Sequence, residues 1–235
     1  MSALVGHWAA SHQGTVRPSN QDAFLCRPEI GLFAVADGVG GHAGGAFASA
    51  EVVRMLEAVP PGLTPSGLLN AVRARLQAAH ERLQTEAMAL GSPAAATTVV
   101  VLLLHGDHLA CVWAGDSRAY LLRHGQLLAL TSDHSVVGEM LRAGKLTEAQ
   151  AGLHPNGHVI TRAIGVGSDD TLVDKVIGNV EPGDRFLLCS DGLTKALLPG
   201  EIAAHLEASD PAAALVAAAL AANARDNVTV LVTAA

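Results

Sequence analysis

Short apolar runs bounded by glycine, aspartate or proline recur along this chain, and stretches of helical spacing separate them. Leu32–Ala36, Leu109–Ala114 and Arg185–Cys189 read as buried strands, and Ala23–Cys26 and Val228–Val232 as further ones. Val5–Ser11 has the mixed apolar and small-residue character of an edge strand. Thr97–Leu104, Leu109–Ala114, Ser117–Arg123 and Gln126–Thr131 follow one another through short connections that suit hairpins, which predicts an antiparallel meander. Ile160–Ile164 and Leu172–Asn179 resume extended structure. The period switches to helical over Ala46–Ala58 and again from Thr64-Pro65 to about Ala89, where threonine caps the start and proline suits the first turn. Pro199–Glu207 and Pro211–Ala222 are alanine-rich helices suited to close packing on a sheet. Residues 135–156 read as a compact insertion with small helices at Val136–Ala143 and Thr147–Ala151, either a flap beside a site or an ordinary connection. Helices against antiparallel strands give a layered α+β architecture.

Composition narrows the picture. The 235 residues fit one large domain, half of them are hydrophobic, and aromatics are only 3%, so the core must be aliphatic and alanine-rich. A formal charge of −7 argues against a nucleic-acid partner held by a broad basic surface. Cys26, Cys111 and Cys189 lie far apart in apolar stretches without CxxC spacing, which supports buried thiols in a reducing cytoplasm. No secretory signal is apparent, and the longest lipophilic stretch, Ala212–Ala222, is too short to span a bilayer. The expectation is a cytoplasmic protein without membrane insertion.

The candidate chemistry centres on residues 31–45, GLFAVADGVGGHAGG, where an apolar strand stops at Asp37 and five glycines follow. The segment fits neither GxGxxG nor GxxxxGK[ST]. A carboxylate at a strand end followed by the Gly38 carbonyl suits a hard cation, although a capped turn would look the same. The motif recurs: strand candidates run into Asp116 and Asp191, while Asp22 and Asp226 precede others. Antiparallel neighbours run in opposite directions, so three strands ending in Asp and two beginning with Asp can place all five carboxylates on one edge. Carboxylates so gathered repel one another unless cations neutralise them, and an all-oxygen set favours Mn²⁺ or Mg²⁺ over zinc. Arg17, five residues before Asp22, reads as a phosphate clamp or as a surface arginine. His80 reads as an ordinary helix residue.

Taken in order, Arg17…Asn20-Gln21-Asp22-Ala23, Val35-Ala36-Asp37-Gly38-Val39-Gly40-Gly41-His42, Gly115-Asp116-Ser117-Arg118 and Thr131-Ser132-Asp133-His134-Ser135 form a series of motifs. It continues with Thr161-Arg162-Ala163-Ile164-Gly165, Ser190-Asp191-Gly192-Leu193 and Asp226-Asn227-Val228-Thr229. Over nearly its whole length the chain resembles the metal-dependent serine/threonine protein phosphatases of type 2C, particularly their compact bacterial members. The resemblance implies a four-layer αββα sandwich, two antiparallel sheets flanked by helices, with metals in a cleft at the sheet edges. It implies that Asp37, Asp191 and Asp226 bind a first metal, that Asp37 and the Gly38 carbonyl bind a second, and that Asp22 holds metal-bound waters. Asp116, with Asp191, would contribute to a weaker third site. Arg17 falls at the phosphate-binding arginine, and residues 135–156 at the flap subdomain.

Two positions depart from the family: Gln21 stands where many members have glutamate, and Val39 where eukaryotic members have a histidine proposed as general acid. His42 receives no catalytic role. The implied reaction is hydrolysis of phosphoserine and phosphothreonine in proteins by a metal-bridged water, opposing a bacterial serine/threonine kinase, by a monomer. A phosphopeptide-binding module without activity would be expected to lose metal aspartates, and a metal nuclease to carry a basic groove.

Overall fold

Side chains alternate between the two faces of a strand, and here both faces are covered. The structure, a computed structural model, describes residues 6–39, 43–90, 95–151, 154–157, 159–167 and 172–235. His42 lies outside the described residues. The chain opens with β1 (Gly6–His12), β2 (Asp22–Arg27), a single 3-10 turn over Pro28–Ile30 and β3 (Leu32–Val39). Helices α1 (Ala43–Glu57) and α2 (Pro65–Leu90) follow, then β4 (Ala96–Thr97), β5 (Val99–His105), β6 (His108–Ala114), β7 (Arg118–Arg123) and β8 (Gln126–Ala129). Short helices α3 (Val136–Arg142) and α4 (Glu148–Ala151) precede β9 (Asp174–Asn179) and β10 (Arg185–Cys189). The chain closes with α5 (Asp191–Ala196), α6 (Pro199–His205), α7 (Pro211–Ala221) and β11 (Val228–Ala234).

One sheet has the order β1-β11-β10-β7-β8, the other β2-β3-β5-β6-β9 with β4 added on β3, and every pairing is antiparallel. Alternation sorts the core. Phe33, Val35, Val100 and Leu102 meet Leu121, Phe186 and Leu188 between the sheets. Leu32, Ala34, Val99 and Val101 face Leu56, Val72 and Leu76 of α1 and α2. Leu187, Cys189, Val230 and Val232 face Leu193, Ile202 and Leu215 on the other side. The layers are therefore helix, sheet, sheet and helix, with a predominantly aliphatic core.

Four expectations need correction. The four strands from Thr97 to Thr131 are not one meander: β5 and β6 belong to one sheet, β7 and β8 to the other. Both neighbours of β6 are already taken, by β5 and β9, so the chain after Gly115 crosses to pair β7 with β10. The strand through Leu32–Ala36 does not stop at Asp37 but continues to Val39, because Gly38 and Val39 pair with Thr97 and Ala96. Thr97–Leu104 is broken at Thr98, whose N–H donates to Asp37 O at 2.9 Å. Ile160–Ile164 contributes isolated bridges only, to Ser135 and Thr97. The three cysteines are free, Cys111 and Cys189 buried, and burial pushes the Cys189 thiol up to about 12. Buried His80 accepts a hydrogen bond from Gly165 N–H at its Nδ1, as a core histidine of α2. No helix among the described residues is long and apolar enough to cross a membrane.

Candidate active site

The two sheets end together at one cleft of about 230 Å³, lined by Arg17, Asp37, Gly38, Asp116, Asp191, Lys195 and Asp226 among others. Each carboxylate arrives from a different element. Asp37 sits late in β3, directly opposite Asp22 at the start of β2. Asp116 lies in the crossover after β6, Asp191 opens α5, and Asp226 precedes β11. Asp22 lies behind the cleft, where Ser190 Oγ donates to its Oδ2 at 2.8 Å.

Local geometry explains the convergence. A Cβ on Gly192 would lie 2.0 Å from the Asn227 carbonyl oxygen, so only glycine lets the first turn of α5 approach the loop that carries Asp226. Asn227 locks that loop: its Nδ2 donates to Gln13 O at 2.9 Å and to Ser19 O at 3.0 Å, and Gln21 N–H donates to its Oδ1 at 2.8 Å. The Thr97 hydroxyl donates to Asp37 O at 2.8 Å, and Thr98 and Ser117 share a hydroxyl–hydroxyl bond of 2.7 Å, joining the Asp37 strand to the Asp116 turn. Behind that turn, Gly115 N–H donates to His134 Nδ1 at 3.2 Å, and Asp174 lies 3.0 Å from His134 Nε2. The imidazole stacks on Trp113 at 5.9 Å. Arg162 Nη1 in turn donates to Asp174 at 2.7 Å.

The electrostatics are those of an acidic pocket short of counter-charge. Burial, reinforced by Asp22, Asp191, Asp116 and Asp226, holds Asp37 well above the usual carboxylate range. Burial raises Asp22 to about 6, with hydrogen bonds from Thr229 and Ser190 opposing and the charges of Asp191 and Asp226 adding to it. Burial and Asp191 raise Asp116 to about 7. Burial also raises Asp191, against the pull of Lys195. Asp226 goes the other way: burial favours its acid form, but Arg17 outweighs that and lowers it. Arg17 forms a fork, Nε donating to Asp226 Oδ1 at 2.7 Å and Nη2 to Oδ2 at 2.9 Å. Lys195, four residues into α5, donates to Asp191 Oδ2 and lies 3.9 Å from Asp226 Oδ2.

As they stand, no three Asp, Glu, His or Cys side chains among the described residues close around a single point as ion ligands would. The reason is visible in the pairing, since Arg17 and Lys195 engage Asp226 and Asp191. The donor set nonetheless fits a hard divalent cation. It is all oxygen, and Asp22 Oδ1 and Asp191 Oδ1 are buried with no hydrogen-bond partner.

The sequence profile of the protein phosphatase 2C family matches residues 10–228. The chain belongs to that family, one of serine/threonine protein phosphatases. As a phosphatase 2C chain it is 35% identical over 240 residues to the serine/threonine protein phosphatase PstP of Mycobacterium tuberculosis. The match takes in 99% of this chain and 45% of the relative, so the chain spans about half the length of that phosphatase. Among solved structures, PppA, a key regulatory component of T6SS in Pseudomonas aeruginosa, is 40% identical with a TM-score of 0.89, covering 97% of this chain and 96% of its own. The catalytic domain of PstP, solved in complex with two manganese ions, is 33% identical with a TM-score of 0.81 and 97% coverage of both chains. The expected sandwich of two antiparallel sheets between helices is therefore both this chain's fold and that of its phosphatase relatives.

All five aspartates of the expected site, with Arg17 and Gly38, are found at or directly behind one cleft. Sequence reasoning passed over Lys195 and Asp174, and it quoted Ser190, Asn227 and His134 within motifs without giving them a role. Lys195 was detectable only by its four-residue spacing from Asp191, had a helix been placed there. The others act through hydroxyl, amide and imidazole contacts that carry no spacing signal.

Proposed function

We propose that residues 1–235 form one catalytic domain that hydrolyses phosphoserine and phosphothreonine in proteins with Mn²⁺ or Mg²⁺. Asp37, Asp191 and Asp226 would hold a first ion, Asp37 and the Gly38 carbonyl a second, and Asp116 with Asp191 a weaker third. What carries this reading is the gathering of four carboxylates at one cleft with a fifth, Asp22, directly behind it, and the buried, unpartnered oxygens on Asp22 and Asp191. When bound, such ions supply Lewis acidity, making a water more acidic and drawing charge from phosphoryl oxygens.

The chain's own groups supply the rest. Arg17 exchanges Asp226 for the substrate phosphate, presenting its Nε and Nη2 fork to two phosphoryl oxygens. Asp22 Oδ1 accepts a hydrogen bond from water in the cleft and orients it, while Ser190 holds Oδ2. The water oxygen attacks phosphorus, the bond to the seryl or threonyl oxygen breaks, and the proton that the attacking water gives up ends on that oxygen, leaving a free hydroxyl and inorganic phosphate. No thiol takes part. Residues 135–156 would act as a flap subdomain. The substrates would be phosphoproteins of a bacterial serine/threonine kinase, met in the cytoplasm by a monomer.

The test is hydrolysis of an aryl phosphate and a phosphothreonine peptide with Mn²⁺, beside chelator controls. Wild type should turn over both, and Asp37→Asn and Asp226→Asn should each retain less than about a tenth of kcat while keeping the circular dichroism spectrum. Wild-type inactivity toward both substrates would overturn the proposal, and more activity than that in either variant would overturn the assignment of its carboxylate.

A further inference from the structure

Beside the catalytic cleft runs a second groove, of about 500 Å³, whose lining shares Arg17, Lys195 and Asp226 with it. Arg225 joins the lining, and half-exposed Val16 flanks it. On a chain with a formal charge of −7, three of the groove's side chains are cations and one is an anion. That anion, Asp226, is already gripped by Arg17. Arg225 is exposed and has no hydrogen-bond or ion-pair partner among the described residues. A guanidinium held at the mouth of a groove without an internal counter-charge is available to a ligand.

The walls are fixed in advance. Thr15 N–H and Thr15 Oγ1 both donate to Ala224 O at 3.0 Å, tying the segment that carries Arg17 to the one that carries Arg225. Asn223 adopts a positive φ of 62°, ending α7 so that residues 224–226 return alongside residues 14–17. Its Oδ1 accepts from Thr15 Oγ1 at 3.4 Å. A groove stapled in this way can bind without the cost of ordering a loop.

We propose that this groove is a specificity site for carboxylate side chains of the substrate protein, within a few residues of the phosphorylated one. The inference rests on the phosphatase reading. Arg17 belongs to both clefts, so a phosphate gripped there leaves the neighbouring residues of an extended peptide, about 3.3–3.6 Å each, to run past Arg225. Charge complementarity selects Asp or Glu at those positions and disfavours Lys or Arg.

The experiment compares phosphothreonine peptides identical except for Glu, Gln or Lys two and three residues on each side of the phosphoresidue. With Mn²⁺ and low salt, kcat/KM should fall in the order Glu, Gln, Lys, by about three- to fivefold per step and mainly through KM. The preference should fade as salt approaches about 0.5 M. Arg225→Gln should flatten the order and Arg225→Glu reverse it. The ratio between peptides cancels any loss common to all substrates from the neighbouring Asp226. Equal kcat/KM for the Glu and Gln peptides in wild type, or an order that survives in Arg225→Glu, overturns the inference. If wild type hydrolyses none of the peptides nor an aryl phosphate, the phosphatase reading itself has failed and takes this site with it.

Discussion

The ammonium of Lys195 reaches the same carboxylates that a divalent ion would use, bonding Asp191 and approaching Asp226 to 3.9 Å. It is thus an internal competitor for metal. Removing its charge while keeping its length, as in Lys195→Met, should tighten Mn²⁺ binding about fivefold by calorimetry, since its side chain is half exposed and the pairing partly screened. The metal-free variant should lose about 1 kcal/mol or less of stability. An unchanged dissociation constant would show that Lys195 yields to metal at no cost. The contrast with the aspartates shows what sequence can carry at this scale. Asp37, Asp191 and Asp226 were legible because each borders an apolar run, the first two following one and Asp226 preceding one, and a charge at that border is conspicuous. Lys195 was not, because α5 is six residues long and DGLTKA has no periodicity to announce a helix. Arg17 taken by itself read as a surface residue or a phosphate clamp, and only the family resemblance favoured the clamp; its fork on Asp226 is what the structure adds.

The central strands β3, β5, β10 and β11 were readable as apolar runs because both of their faces are buried, yet a run does not say which sheet it joins. That information sits in the turn between β6 and β7, which passes from sheet to sheet and carries Asp116 across the cleft. Gly115 there has φ of 104°, and a Cβ would stand 2.5 Å from the Thr98 side chain, itself bonded to Ser117. Gly125, in the β7–β8 hairpin, also has positive φ, at 75°, but a Cβ would meet nothing within 4 Å. Gly115→Ala should therefore cost about 2 kcal/mol or more, and Gly125→Ala about 1 kcal/mol. At about 2–4 °C per kcal/mol for a chain of this size, thermal melting would resolve the two. Equal shifts would mean that the Gly115 turn yields and the crossover is not sterically fixed.

Taken whole, the molecule concentrates negative charge at the meeting point of its two sheets. Asp22 and Asp116 have folded values near 6 and 7, raised from an ordinary 3.8. Raised carboxylates favour the fold when protonated, so their contribution is complete below about pH 4 and disappears as pH climbs through 6 and 7. In chelator, the protein should melt at lower temperature at pH 7.5 than at pH 5, a loss on the order of a few kcal/mol. Mn²⁺ should restore stability at pH 7.5 and do little at pH 5, where protons occupy the same oxygens. Equal melting temperatures in chelator at the two pH values would show that the acidic cluster is neutralised from within.

The first strand of the chain lies in register with the last, and the hydroxyls of Ser11 and Thr229 touch at 2.7 Å across 218 residues of sequence. During synthesis β1 is made long before the strand it pairs with among the described residues, and it must wait for β11. Asp226 and Asn227, which complete the cleft and fasten its loops, immediately precede β11. Until β11 has been made, the cleft therefore lacks both a carboxylate and the amide that fastens its loops, and β2 and β3 can carry Asp22 and Asp37 only to a site left open on one side.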